Sequence, residues 1–122
     1  MTTTTILPAE EARSVHLPDA VQSAPAGIVS RTVLNTDDAR VVLFSFAEGQ
    51  ELTAHTNRRR ALVQILEGEC DFQFGGKWHR LAAGNLLHLP PNDPHAVRAG
   101  SGPFSMLLTL CADGSADGGT QS

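Results

Sequence analysis

A chain of 122 residues suffices for one hydrophobic core and is too short for two independent ones. Its 41% apolar content and mixed charges suit a globular protein and exclude disorder along most of its length. Nine basic against thirteen acidic residues give a net charge of −4, which leaves no positive field for a nucleic acid, and no apolar run approaches the roughly 20 residues of a membrane-spanning helix. The N-terminus also lacks the basic-then-apolar order of a secretory leader, so the expected location is cytoplasmic, with neither nucleic acid nor membrane as partner.

Residues 1–27 carry Pro8, Pro18, Pro25 and Gly27, with one short helix-compatible stretch at 9–13. They are expected to form an irregular arm lying on the body or on a neighbouring subunit. From 28 onward the chain becomes a series of short β-branched or apolar runs separated by Gly, Pro, Asn and Asp. These predict strands over 28–34, 40–47, 61–67, 69–74, 77–81, 86–89, 95–99 and 104–111. Asn35-Thr36-Asp37-Asp38 reads as a turn, and Gly75-Gly76 has the positive-φ tolerance of a tight hairpin. Residues 112–122 are polar and Gly-rich without periodicity and are expected to be a disordered tail. Cys70 and Cys111 lie far apart in apolar alternations, the setting of buried thiols rather than of a disulfide or zinc knuckle.

Short, evenly spaced strands without intervening helices predict an all-β sandwich or closed barrel over 28–111. Val41-Val42-Leu43-Phe44-Ser45-Phe46 and Leu62-Val63-Gln64-Ile65-Leu66 are apolar on both faces, so each needs cover on its outer side. A partner subunit would supply it, and a two-fold homodimer is the expected assembly.

Two segments resemble the paired motifs of the cupin family. Residues 49–68 are similar to G-x5-H-x-H-x3-E-x6-G, with Gly49, His55 and Gly68 in register. Residues 84–95 are similar to the opening of G-x5-P-x-G-x2-H-x3-N, with Gly84, Pro90 and His95 in register and Asn92 in place of a turn glycine. The resemblance spans roughly residues 30–110 and implies a single jelly-roll barrel, a double-stranded β-helix. In the family, two His and a Glu of the first motif join one His of the second around a divalent metal. Here those four positions read His55, Asn57, Ala61 and His95.

Two imidazoles thus survive where a firmly held transition metal wants at least three protein ligands. The cofactor that the resemblance implies is one divalent ion (iron, nickel, zinc or manganese) on His55 and His95, with Asn57 and water completing a weakened shell. Other residues are candidates to repair it. His88 lies in the apolar run Leu86-Leu87-His88-Leu89, where a hydrogen-bonded core residue is the competing reading. His79 has polar neighbours and reads as surface, Gln64 should alternate away from Ala61 and Val63, and nothing marks His16. Without metal, His55 and His95 still form an acid/base pair suited to neutral pH.

Arg58-Arg59-Arg60 ordinarily reads as a solvated turn. If 55–61 stay extended, however, Arg59 shares a face with His55, Asn57 and Ala61 and favours a carboxylate or enolate ligand. A ligand pocket inside the barrel would be lined by Val63, Ile65, Phe72 and Met106. Three functional readings follow: a dioxygenase- or isomerase-like enzyme working through the His55/His95 pair, a metal-free barrel that binds or senses a small organic molecule, and a structural barrel with a vestigial pocket.

Overall fold

The computed structural model describes residues 5–112. A short helix α1 (Leu17–Ala20) is followed by nine strands, β1 (Ile28–Asn35), β2 (Ala39–Phe46), β3 (Glu51–His55), β4 (Ala61–Glu67), β5 (Glu69–Phe74), β6 (Lys77–Ala82), β7 (Leu86–Leu89), β8 (His95–Ala99) and β9 (Phe104–Cys111). The eight predicted strands are all present. β3 is the addition, and α1 falls at 17–20 rather than 9–13, with Pro18 in the first turn where a missing N–H costs nothing.

The strands form two antiparallel sheets, one of order β1-β2-β9-β4-β7 and the other β3-β8-β5-β6. This is the predicted jelly-roll, though the sheets face one another without closing into one hydrogen-bonded cylinder. The core between them is the apolar alternation of both inner faces, with Phe46, Val63, Ile65, Phe72, Val97 and Met106 buried. Phe46 has no exposed surface and stacks on Phe104 at 4.6 Å between ring centroids. Burying one such ring contributes about 1.5–3 kcal/mol.

Turn chemistry sets where strands end. Gly68, φ +79°, joins β4 to β5 where a Cβ would stand 2.4 Å from the Pro103 carbonyl oxygen, so no other residue fits. Asn92 takes φ 64°, filling a turn position that usually needs glycine, as its amide side chain allows. Together these turns place the β4–β5 and β8–β9 connections at one end of the sandwich. The β3–β4 and β7–β8 connections lie at the other.

The outer face of the five-stranded sheet is covered in part by the chain's own arm. Ile6 and Leu7 donate to the Thr32 and Val33 carbonyls at 3.1 and 2.7 Å, capping the free edge of β1. Behind them Ile6, Leu7, Val15, Ala20 and Val21 pack on Val33, Val41, Leu43, Leu66 and Leu107. The doubly apolar β2 therefore finds its cover within the chain. Cys70 is buried and Cys111 half-buried, both as free thiols, and burial pushes the Cys70 thiol up to about 12. Of the tail expected at 112–122, all but Ala112 lies outside the described residues. Among those described, no helix is long and apolar enough to cross a membrane.

Candidate functional site

At the end where β3 passes into β4 the fold brings two distant histidines together. His55, the last residue of β3, stands directly opposite His95, the first of β8. Their ring centroids are 4.3 Å apart, edge to face. A bulge makes this possible: from the pair Leu52↔Val97 to the pair His55↔His95, three steps along β3 match two along β8. Strict alternation would turn His55 away from the face of Leu52, and the extra residue turns it back.

Each imidazole is oriented by its own chain. His55 Nδ1 lies 3.0 Å from the Thr53 carbonyl oxygen, and His95 Nδ1 lies 2.9 Å from that of Asp93. A carbonyl oxygen only accepts, so in the neutral ring each Nδ1 carries the proton and each Nε2 keeps its lone pair. The environments differ: His55 is exposed at the mouth, whereas His95 is 9% exposed. Burial holds the His95 pKa below the usual imidazole value, helped by the adjacent His55 ring and opposed by the Asp93 carbonyl.

Both rings border a cavity of about 80 Å³ whose remaining walls are Phe44, Leu52, Val63, Phe72, Leu89, Val97, Met106 and Leu108. The cavity is apolar except for the two imidazoles. Of the lining residues expected from sequence, Val63, Phe72 and Met106 are in place. Ile65 is instead buried in the core deeper in the sandwich, two residues beyond Val63 on β4. Phe44, Leu89, Val97 and Leu108 share the inward alternation of their strands and were legible by that signal. Leu52 was not, because β3 itself was missed.

Four further expectations are corrected. Residues 56–60 form a loop, so the alternation that would have set Arg59 beside His55 is broken, and Arg59 does not line the cavity. Asn57 turns its side chain back on that loop, its Oδ1 accepting the Arg59 N–H at 2.8 Å, while its carbonyl takes the Asn92 N–H at 2.7 Å and ties the two mouth loops together. Ala61 is a buried core methyl outside the cavity wall. His88 is exposed on the outer face of the edge strand β7, its Nε2 2.7 Å from Arg60 Nη1. Gln64 points outward as expected, and His79 is half-buried against Phe74, with ring centroids 3.8 Å apart.

Among the described residues, no group of three or more His, Cys, Asp or Glu could hold a metal ion. With the Asn57 oxygen engaged and a methyl at position 61, the donor set comes to two imidazoles. That set does not fit a firmly bound transition metal.

Residues 42–110 match the family model described as Cupin domain. The structure is similar to a cupin superfamily protein from Desulfitobacterium hafniense DCB-2, with TM-score 0.78 and 27% identity, covering 92% of this chain and 100% of that one. A conserved Streptococcus pyogenes protein of unknown function is similar at TM-score 0.75 and 28% identity, covering 92% and 97%. DMSP lyase DddQ from Ruegeria pomeroyi DSS-3 shares the fold at TM-score 0.66, with 22% identity over 70% of this chain and 47% of that one. No curated protein matches this chain at a significant level.

Proposed function

The chain belongs to the cupin family, and from that premise we propose that its cavity takes up a small organic molecule with an apolar body and one weakly acidic group, whose proton the His55/His95 pair accepts. The observation that carries this reading is the pair of Nδ1 contacts to the Thr53 and Asp93 carbonyls, which leaves both Nε2 lone pairs as the acceptors of an otherwise apolar cavity.

The chemistry follows from the two environments. A neutral imidazole accepts a hydrogen bond from an O–H, N–H or acidified C–H, and apolar walls strengthen it by excluding competing water. Burial disfavours a lasting charge on His95, whereas a proton on His55 has direct access to solvent at the mouth. With no guanidinium in the wall, the ligand we propose is a neutral acid rather than the carboxylate that Arg59 would have favoured. A water claims about 30 Å³ of liquid volume. A cavity of about 80 Å³ therefore suits a ligand of a few heavy atoms.

In this reading the pair works without metal, and the dioxygenase alternative is set aside because the donor set is too small. If the acidic group is a carbon, the same contacts make the protein a proton-transfer catalyst of the isomerase kind. If it is oxygen or nitrogen, the protein is a binder. Nitroethane, a small carbon acid, separates the outcomes when added in D2O and followed by NMR. Saturable shifts of both imidazoles with accelerated C–H exchange support catalysis, and shifts without exchange support binding alone. No response from either ring contradicts the proposal. The homodimer also stays a proposal: it would cover Leu86, 67% exposed on β7, and a sedimentation mass of a single chain contradicts it.

A further inference from the structure

On the outer face of the five-stranded sheet, at the end away from the histidines, three polar residues stand in one row across neighbouring strands. Ser45 on β2 is the register partner of Ser105 on β9, which is in turn the partner of Glu67 on β4. Their neighbours Phe46, Phe104 and Met106 point inward to the core, which leaves these three facing out. Glu67 reaches the row through a second bulge: from Ile65↔Met106 to Glu67↔Ser105, two steps along β4 match one along β9. Without that extra residue Leu66 would oppose Ser105 and the carboxylate would point at the core.

The serines are not ordinary surface hydroxyls. Ser105 is 2% exposed and Ser45 6%, on the face that carries the apolar cluster of Val41, Leu43, Leu66 and Leu107. Ser105 Oγ donates to Glu67 Oε1 at 3.3 Å. Ser45 Oγ has no hydrogen-bond partner among the described residues, and Glu67 has no ion-pair partner among them. An unmet buried hydroxyl is costly, so something polar is expected to meet it. The row borders a crevice of about 180 Å³ roofed by Val21 and Ser23 of the arm and closed by Pro103 and Phe104. Arg31, one outward position further along the sheet from the partner of Ser45, is taken up by the Ala20 carbonyl at 3.0 Å.

We propose that this crevice is a second binding site, separate from the histidine cavity, for a small primary ammonium ion. The acceptors available are one carboxylate and the two serine oxygens, since Ser105 spends its only proton on Glu67. An R–NH3⁺ group brings three donors and the one positive charge that Glu67 lacks. Apolar walls from Val21 and Pro103 accommodate a short carbon body.

Ethanolammonium and its neutral counterpart ethylene glycol test this on the full chain by amide NMR. The expected result is a saturable shift of the Ser45, Ser105 and Glu67 amides with ethanolammonium only. Glu67→Gln should weaken it by about tenfold or more, as loss of a charged hydrogen bond implies, and Ser45→Ala by less. Thermal unfolding of both variants checks that the fold is retained. An equal response to ethylene glycol, full competition by potassium, undiminished binding in Glu67→Gln or no saturable shift would each overturn the assignment. Because the comparison of charged and neutral ligands uses the unaltered protein, it stands even if a variant fails to fold.

Discussion

The two ends of the sandwich are built on opposite principles. At the end of the β4–β5 turn, Gly68 has no room for a side chain, Phe46 and Phe104 stack, and Cys70 is a buried thiol. At the other end β3 is an exposed, bulged edge strand, and one backbone hydrogen bond, Asn92 to Asn57, joins the loops of the mouth. The tightly packed end fixes β8 and the inner wall of the cavity. The looser end then carries imidazoles whose Nε2 lone pairs have no partner among the described residues. Stability and chemistry are thus separated along the strands rather than between layers.

Substitutions should divide along the same line. Phe46→Ala, at the packed end, is expected to cost about 3–5 kcal/mol in denaturant unfolding, because it empties a fully buried ring site. Gly68→Ala should cost on the order of 3 kcal/mol, combining left-handed backbone strain with the clash at Pro103. If either variant unfolds with the stability of the natural chain, that end is not the rigid one.

The pH response comes next in size and belongs to the mouth. Folding depresses the His95 pKa, so below the ordinary imidazole value of 6.5 the unfolded chain binds more protons than the folded one. Stability present above that value is therefore lost as pH falls through the window beneath it. His95→Gln should flatten this part of the profile, measured as the urea midpoint between about pH 7.5 and pH 5.5. An unchanged slope would mean that His95 is not the group responsible. The smallest effect is expected from His55→Ala, within about 0.5 kcal/mol of the natural stability because the ring is exposed, while the response to nitroethane is lost.

Much of the packed end was legible in the sequence. Alternation located eight strands and glycine spacing located the turns, while at the mouth the substitution at Asn92 was readable as a positive-φ position. The mouth was harder for definite physical reasons. Glu51-Leu52-Thr53-Ala54-His55 has little apolar alternation because it is an edge strand exposed along most of its length, and its bulge breaks the period that would have revealed it. His88 looked enclosed because Leu86, Leu87 and Leu89 surround it in sequence, yet β7 is also an edge and both Leu86 and His88 face outward. Arg59 was placed by extending a strand through residues that form a loop. The pairing of His55 with His95 was legible only through the family resemblance, since 39 intervening residues separate them and no local pattern links the two. The Ser45, Ser105 and Glu67 row gave no signal at all, being assembled from three strands and a bulge.

The most direct test of the account is the tautomeric state of the two imidazoles, read from long-range ¹⁵N–¹H NMR of the full-length protein in metal-free buffer near pH 7.5. Both neutral rings are expected as Nδ1–H tautomers with Nε2 bare, the His95 ring is expected uncharged at that pH, and both Nε2 resonances should shift when a small neutral acid enters the cavity. Nε2–H tautomers, or a His95 ring already cationic at that pH, would contradict it.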